Sequence, residues 1–385
     1  MKKILFAIIL AIPMFISAQQ GMTPEDQKRV QEIHAKRERG EQLSAEDQAF
    51  IKRMMAARGP QGGAQKGGAQ KKANPHASVN EAWAKDHPPV DHTGMIPLTD
   101  LGTGKYKGEE GGLYPGGKNT PPPDHLKAGL AMARQIRPLD AEGKPSPDGK
   151  IVLMTLGISN TTMESQAFIA LAAQQTDLNP HLVIIDGAQG GWPVNEHADP
   201  NNARWKTDYQ RLKDKNVTDK QVQVFWIKET YPLYDSKLPF PGEAKKMQNW
   251  EIDTLHVIHD KFPNVKIAYL SSRIYAGYAT VAANPEPWAY EFGFSNKWVI
   301  SDQLAGKPEL NYDPAKGQVR SPWLEWGPYM WADGVKPRSD GLTWVREELG
   351  GDGMHPSKTG QAKVAKMLMD FLKTDPTSKP WFVAK

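Results

Sequence analysis

Four short apolar runs, residues 151–156, 182–185, 222–227 and 265–270, alternate with segments of helical character, and nothing else in the chain restricts its fold as much. Each run is nearly continuous in apolar residues and is bounded by turn formers, as strands covered on both faces require. Between them the pattern predicts helices over 162–175, through Arg204, Tyr209 and Leu212, and over 243–261. A further helix over 357–373 would turn Val364, Leu368, Phe371 and Leu372 inward. Alternating strands and helices mean βα units and a mainly parallel sheet. Right-handed crossovers then place helices on both faces, an α/β three-layer sandwich.

The rest of the chain falls outside that rhythm. Residues 275–350 hold six of the twelve tryptophans and read as an aromatic-rich insertion. Residues 75–149 are rich in Pro and Gly, with one expected helix over 124–136. Residues 1–18 read as a signal peptide: Lys2 and Lys3, a short apolar stretch, then Ser17-Ala18 at a cleavage point. The expectation is a secreted or periplasmic protein cut near Ala18. Residues 19–58 form a polar helical arm, with capping patterns at Thr23-Pro24-Glu25-Asp26 and Ser44-Ala45-Glu46-Asp47. Residues 59–73 form a flexible Gly/Gln/Lys linker, so a catalytic domain is expected over 74–385.

Charge follows the same division. Residues 1–74 carry 13 Lys/Arg and 7 Asp/Glu, or +6, so the remainder of a +4 chain is about −2. A basic face for nucleic acid is therefore not indicated. No run of 18 apolar residues follows the first twenty, so no membrane span is expected in the mature chain. The chain has no cysteine, which removes disulfides, thiol catalysis and cysteine metal sites. His87, Asp91 and His92 are scattered among prolines and make a poor metal site, so no metal or cofactor is expected.

In an open α/β sheet, ligands sit beyond the carboxyl ends of the strands. The loop after the first strand begins Gly157-Ile158-Ser159-Asn160. A serine there can meet a substrate at a helix N-terminus, whose amides can hold an oxyanion; it can equally be a helix N-cap. Directly before the last helix stands Gly351-Asp352-Gly353-Met354-His355-Pro356-Ser357. An aspartate three residues before a histidine can curl back onto Nδ1 and leave the other ring nitrogen facing the serine.

Those two blocks resemble the SGNH/GDSL-type serine hydrolases, an esterase and acetylesterase superfamily, over about residues 148–374. The resemblance implies a flavodoxin-like sheet and a triad of Ser159, His355 and Asp352. It also implies oxyanion donors from the amide of Ser159, from Gly190 (with Gly187 and Gly191 as competitors), and from a third residue. The family uses an asparagine for that third donor. Here Lys228-Glu229-Thr230 stands after the third strand, so Lys228 is the candidate, with Asn160 or Asn195 in reserve. Among weaker candidates, Arg273 can bind a substrate carboxylate, sulfate or sugar hydroxyl, or form a structural ion pair. Asn160 and Trp326 are further substrate-binding candidates, Trp326 with its neighbours walling a sugar cleft or filling a core.

The resulting expectation is an exported serine esterase acting on a small-molecule or glycan ester, most simply an O-acyl group on a carbohydrate. The rival readings are a glycan-binding relative that has lost turnover, and a scaffold whose 19–58 arm holds an envelope partner.

Overall fold

The computed structural model describes residues 85–231 and 238–384, with isolated positions between 29 and 50. The expected signal peptide and linker lie outside the described residues, as does most of the expected arm. Contacts divide the chain into two compact units, 1–72 and 73–385. In the first, the Asp47 amide donates to Ser44 Oγ at 3.1 Å and the Ser44 amide to Asp47 Oδ2 at 3.4 Å. This is the reciprocal capping that the Ser44–Asp47 pattern predicts. Arg29 Nη2 lies 3.0 Å from Asp47 Oδ1.

The second unit begins with a two-residue antiparallel pair, β1 (Lys105–Tyr106) and β2 (Glu109–Glu110), and a helix, α1 (Pro123–Ala133). Then come β3 (Ile151–Gly157), α2 (Ser159–Ala172), β4 (Leu182–Asp186), α3 (Trp205–Asp214) and β5 (Val222–Lys228). They are followed by α4 (Gly242–Lys261), β6 (Ile267–Leu270), α5 (Trp288–Leu304), β7 (Trp323–Trp326) and α6 (Lys358–Thr374). Strands β3 to β7 form one sheet, all parallel, in the order β4-β3-β5-β6-β7. Helices flank it, with α2 packed on α6 and α4 on α5. The expected three-layer α/β/α sandwich is the observed fold.

Three of the four apolar runs are strands for the reason given, with every residue of β3, β5 and β6 buried, whereas β4 lies at the sheet edge and is mostly half-buried. Two elements escaped the sequence pattern. Strand β7 is four residues long and interrupted by Glu325, which burial pushes up to about 8 and which accepts from Thr377 Oγ1 at 2.7 Å. Helix α5 is buried on almost every side, so it shows no amphipathic period. Residues 275–350 are therefore not an insertion hung on the sheet. Trp323, Trp331 and Trp344 are fully buried, and the segment supplies the sheet's edge strand and one covering helix.

The chain leaves β3 for one neighbour, β4, and returns to the other side for β5. This reversal opens a crevice at the carboxyl ends of β3 and β5.

Candidate active site

Strand β3 ends at Gly157, whose φ is +153°. A Cβ there would lie 2.3 Å from the Lys228 carbonyl and 2.4 Å from Thr161 Oγ1. Glycine thus lets β3 run hard against the end of β5 before the chain turns into α2. Ile158 is the N-cap residue and offers no side-chain cap; Ser159 is the first helical residue. Its hydroxyl is free of capping work and faces His355, with Oγ 2.7 Å from Nε2.

His355 arrives on the loop before α6. Asp352 Oδ2 is 2.5 Å from His355 Nδ1, and Oδ1 accepts the amides of Met354 and His355, both at 3.0 Å. Burial opposes ionisation of Asp352, but the hydrogen bonds from the His355 ring and from these two amides outweigh it, holding the carboxyl at about 2. Asp352 thus stays ionised and fixes the ring with Nδ1 as donor, leaving Nε2 to accept from Ser159.

Four contacts fix the loop itself. The Gly350 amide donates to the His355 carbonyl at 2.7 Å, and Arg346 Nη1 to the Gly350 carbonyl at 2.7 Å. The Thr280 amide donates to the Asp352 carbonyl at 2.8 Å, and Asn160 Nδ2 to the Met354 carbonyl at 3.1 Å. Gly353 has a φ of +68°, and a Cβ there would meet the Tyr278 carbonyl at 1.7 Å, so the loop closes on the 275–280 segment only with glycine.

Gly190 sits beside Ser159: a Cβ built on it would lie 3.7 Å from Ser159 Cβ. The preceding amide, of Gln189, donates to the Gly157 carbonyl at 3.0 Å, which ties this loop to the end of β3. Among the described residues, the amides of Ser159 and Gly190 donate to no protein acceptor. Gly187 packs instead against Met154 and the Thr155 carbonyl.

The remaining sequence candidates are placed differently. Lys228 Nζ donates to both carboxylate oxygens of Glu164 at 2.6 Å, and both side chains are buried. Burial pushes Glu164 up and Lys228 down, each opposed by the other's charge. This ion pair is what the last residue of β5 is for locally. Sequence reasoning missed Glu164; its position five residues after Ser159, on a helix covering β3 and β4, was the available signal. Glu229 turns away into a second buried pair, its Oε1 2.7 Å from His197 Nδ1 but poorly aligned for a hydrogen bond. Asn160 is buried, and its Nδ2 is taken by the Met354 carbonyl, so it braces the base loop rather than facing a substrate. Trp326 is buried too, its Nε1 donating to the Leu113 carbonyl at 2.7 Å, so it belongs to the core and not to a cleft wall. Arg273 is buried at the carboxyl end of β6.

A cavity of about 790 Å³ lined by Asp124, His125, Asn311, Tyr312 and Arg320 lies beside the end of α5 and the segment that leads into β7, and none of Ser159, Asp352 and His355 lines it. Among the described residues no three His, Asp or Glu side chains converge as a metal site, and no helix is long and apolar enough to cross a membrane.

No protein-family model and no curated protein matches the chain. Among solved structures it is similar to the salicylyl-acyltransferase SsfX3 from a tetracycline biosynthetic pathway, at 14% identity and a TM-score of 0.30. The match covers 61% of this chain and 58% of that one, less than two thirds of the other protein's length. A likeness that weak says nothing of function, which rests on the site alone.

Proposed function

We propose that this chain is a serine hydrolase of the SGNH type that cleaves an ester by acyl transfer. The single observation that carries the reading is the unbroken chain from Ser159 Oγ to His355 Nε2 at 2.7 Å and from His355 Nδ1 to Asp352 Oδ2 at 2.5 Å. Two side chains 196 residues apart meet there at hydrogen-bonding distance, with the base oriented by a third group that remains charged.

In this reading His355 takes the Ser159 proton as Oγ attacks the ester carbonyl carbon. The negative charge collects on the carbonyl oxygen, where the free amides of Ser159 and Gly190 receive it. Collapse expels the alcohol, which takes its proton from His355. Water, deprotonated by the same imidazole, then attacks the acyl-enzyme, and the acid leaves as Ser159 regains its proton. Lys228 is not needed as a third oxyanion donor. It neutralises Glu164 beneath the site, so two amides carry the oxyanion. Export and a carbohydrate ester substrate remain part of the proposal, supported by the N-terminal sequence and by the resemblance.

Ser159→Ala should abolish p-nitrophenol release from p-nitrophenyl acetate, and a fluorophosphonate probe should label wild-type enzyme at Ser159. Full turnover by the variant would sink the assignment. An unlabelled, inactive wild type would favour the binding-protein alternative, for which the missing family asparagine is the motivating observation.

A further inference from the structure

Strand β6 leads into Ser271-Ser272-Arg273 at the same sheet edge as Ser159. The two serines have structural partners. Ser271 Oγ accepts Trp226 Nε1 at 3.0 Å, and Ser272 Oγ accepts the Met330 amide at 2.8 Å. Arg273 has no such account. It is 4% exposed, and its Nε and Nη2 are shielded from solvent without a hydrogen-bond partner among the described residues. A buried guanidinium with idle donors costs stability and calls for an explanation.

The surrounding charges do not supply one. Glu164 feels Lys228, Arg273 and His355, so the guanidinium and the catalytic imidazole act on the same buried carboxylate. Lys228 already neutralises Glu164 with two contacts of 2.6 Å. The other carboxyl near Arg273, Glu286, accepts Trp331 Nε1 at 2.8 Å and the amides of Ala276 and Tyr290 at 2.9 and 3.0 Å. Burial pushes Glu286 up to about 7, so it supplies at most part of a charge near neutrality. Burial lowers Arg273 to about 10, which still leaves it cationic. Part of a positive charge is left over, and the idle atoms are the Nε/Nη2 edge, the side of a guanidinium that grips a carboxylate with two parallel hydrogen bonds.

We propose that Arg273 is a specificity-determining residue that receives a carboxylate of the substrate, so that the ester cleaved is carried by an acidic molecule such as an O-acetylated uronic acid. A partial spare charge suits a monoanionic carboxylate better than a dianionic phosphate. This inference rests on the hydrolase reading for the chemistry it serves, but recognition by Arg273 has its own readout.

The test compares acetate release from an O-acetylated methyl glucuronoside and from the matching O-acetylated methyl glucoside. Wild type should favour the acidic sugar by about 10- to 100-fold in kcat/KM, through KM, the worth of one charge-assisted pair. Arg273→Gln should bring that ratio to about 1. Arg273→Lys should keep part of the preference. Equal handling of the two sugars by wild type overturns the proposal, and that comparison needs no variant to fold. So does a preference that survives Arg273→Gln. If the fluorophosphonate probe shows the hydrolase reading to be wrong, calorimetric binding of methyl glucuronoside and methyl glucoside to wild type decides separately. Tighter binding of the acid supports the anion site, and equal or undetectable binding of both overturns it.

Discussion

Asp352 divides its two oxygens between two tasks. One orients the His355 ring and the other ties down the amides of Met354 and His355. Asp352→Asn keeps the shape of the side chain but replaces an acceptor by a donor, which disturbs both tasks. It should lower kcat on p-nitrophenyl acetate by about 10²–10⁴ with little change in KM, because the wrong tautomer of His355 is favoured. Steady-state kinetics check this, and unchanged kcat would remove Asp352 from the triad. The same residue has a pH signature. Its carboxyl is held at about 2 against an ordinary 3.8, so the stability it contributes is present above pH 3.8 and is lost as pH falls through about 2. The difference in unfolding free energy between wild type and Asp352→Asn should shrink over that window, as acid titrations of denaturation would register.

At this scale the sequence was most informative where the chemistry is local. Asp352 and His355 are three residues apart, and a short Gly-containing loop is enough to join them. Ser159 was legible as a residue at a strand end, but its freedom from N-cap duty depended on Ile158 taking that position. Lys228 misled because its partner, Glu164, is 64 residues away in sequence and meets it only after α2 has packed on the sheet.

Among elements, α2 and β5 are clasped by that buried pair. Removing one partner leaves a charge stranded in the interior. Lys228→Met alone should destabilise the domain by about 3–5 kcal/mol in urea unfolding, and the Glu164→Gln/Lys228→Met double variant by clearly less than the two single effects summed. A loss below about 1 kcal/mol for the single variant would mean that the pair behaves like a surface ion pair and clasps nothing. The regular elements were readable wherever one period dominated, as in β3, β5 and α6. Both β7 and α5 were hidden for opposite reasons. The strand is short and carries an acid whose burial is made tolerable by Thr377, whereas the helix has no polar face to mark its turns. What decides such segments is the neighbours they meet, and a window of sequence does not contain them.

For the whole molecule, every triad residue and the two free amides lie within residues 73–385, which form a compact unit. A protein beginning at residue 73 should therefore fold and retain p-nitrophenyl acetate hydrolysis to within about twofold. Loss of activity without loss of fold would instead give the first 72 residues a part in the chemistry.

The distance along the chain between nucleophile and base has a consequence for the protein's biogenesis. Ser159 is made early, and its strand and helix can form while most of the sheet is still missing. The base comes 196 residues later, on a loop that takes up its position only when α6 packs against α2. Ser159 acquires this hydrogen-bond partner only after 196 further residues have been made. On the proposed mechanism the serine is activated only once α6 has docked, so copies that stop before residue 355 should release no p-nitrophenol from p-nitrophenyl acetate.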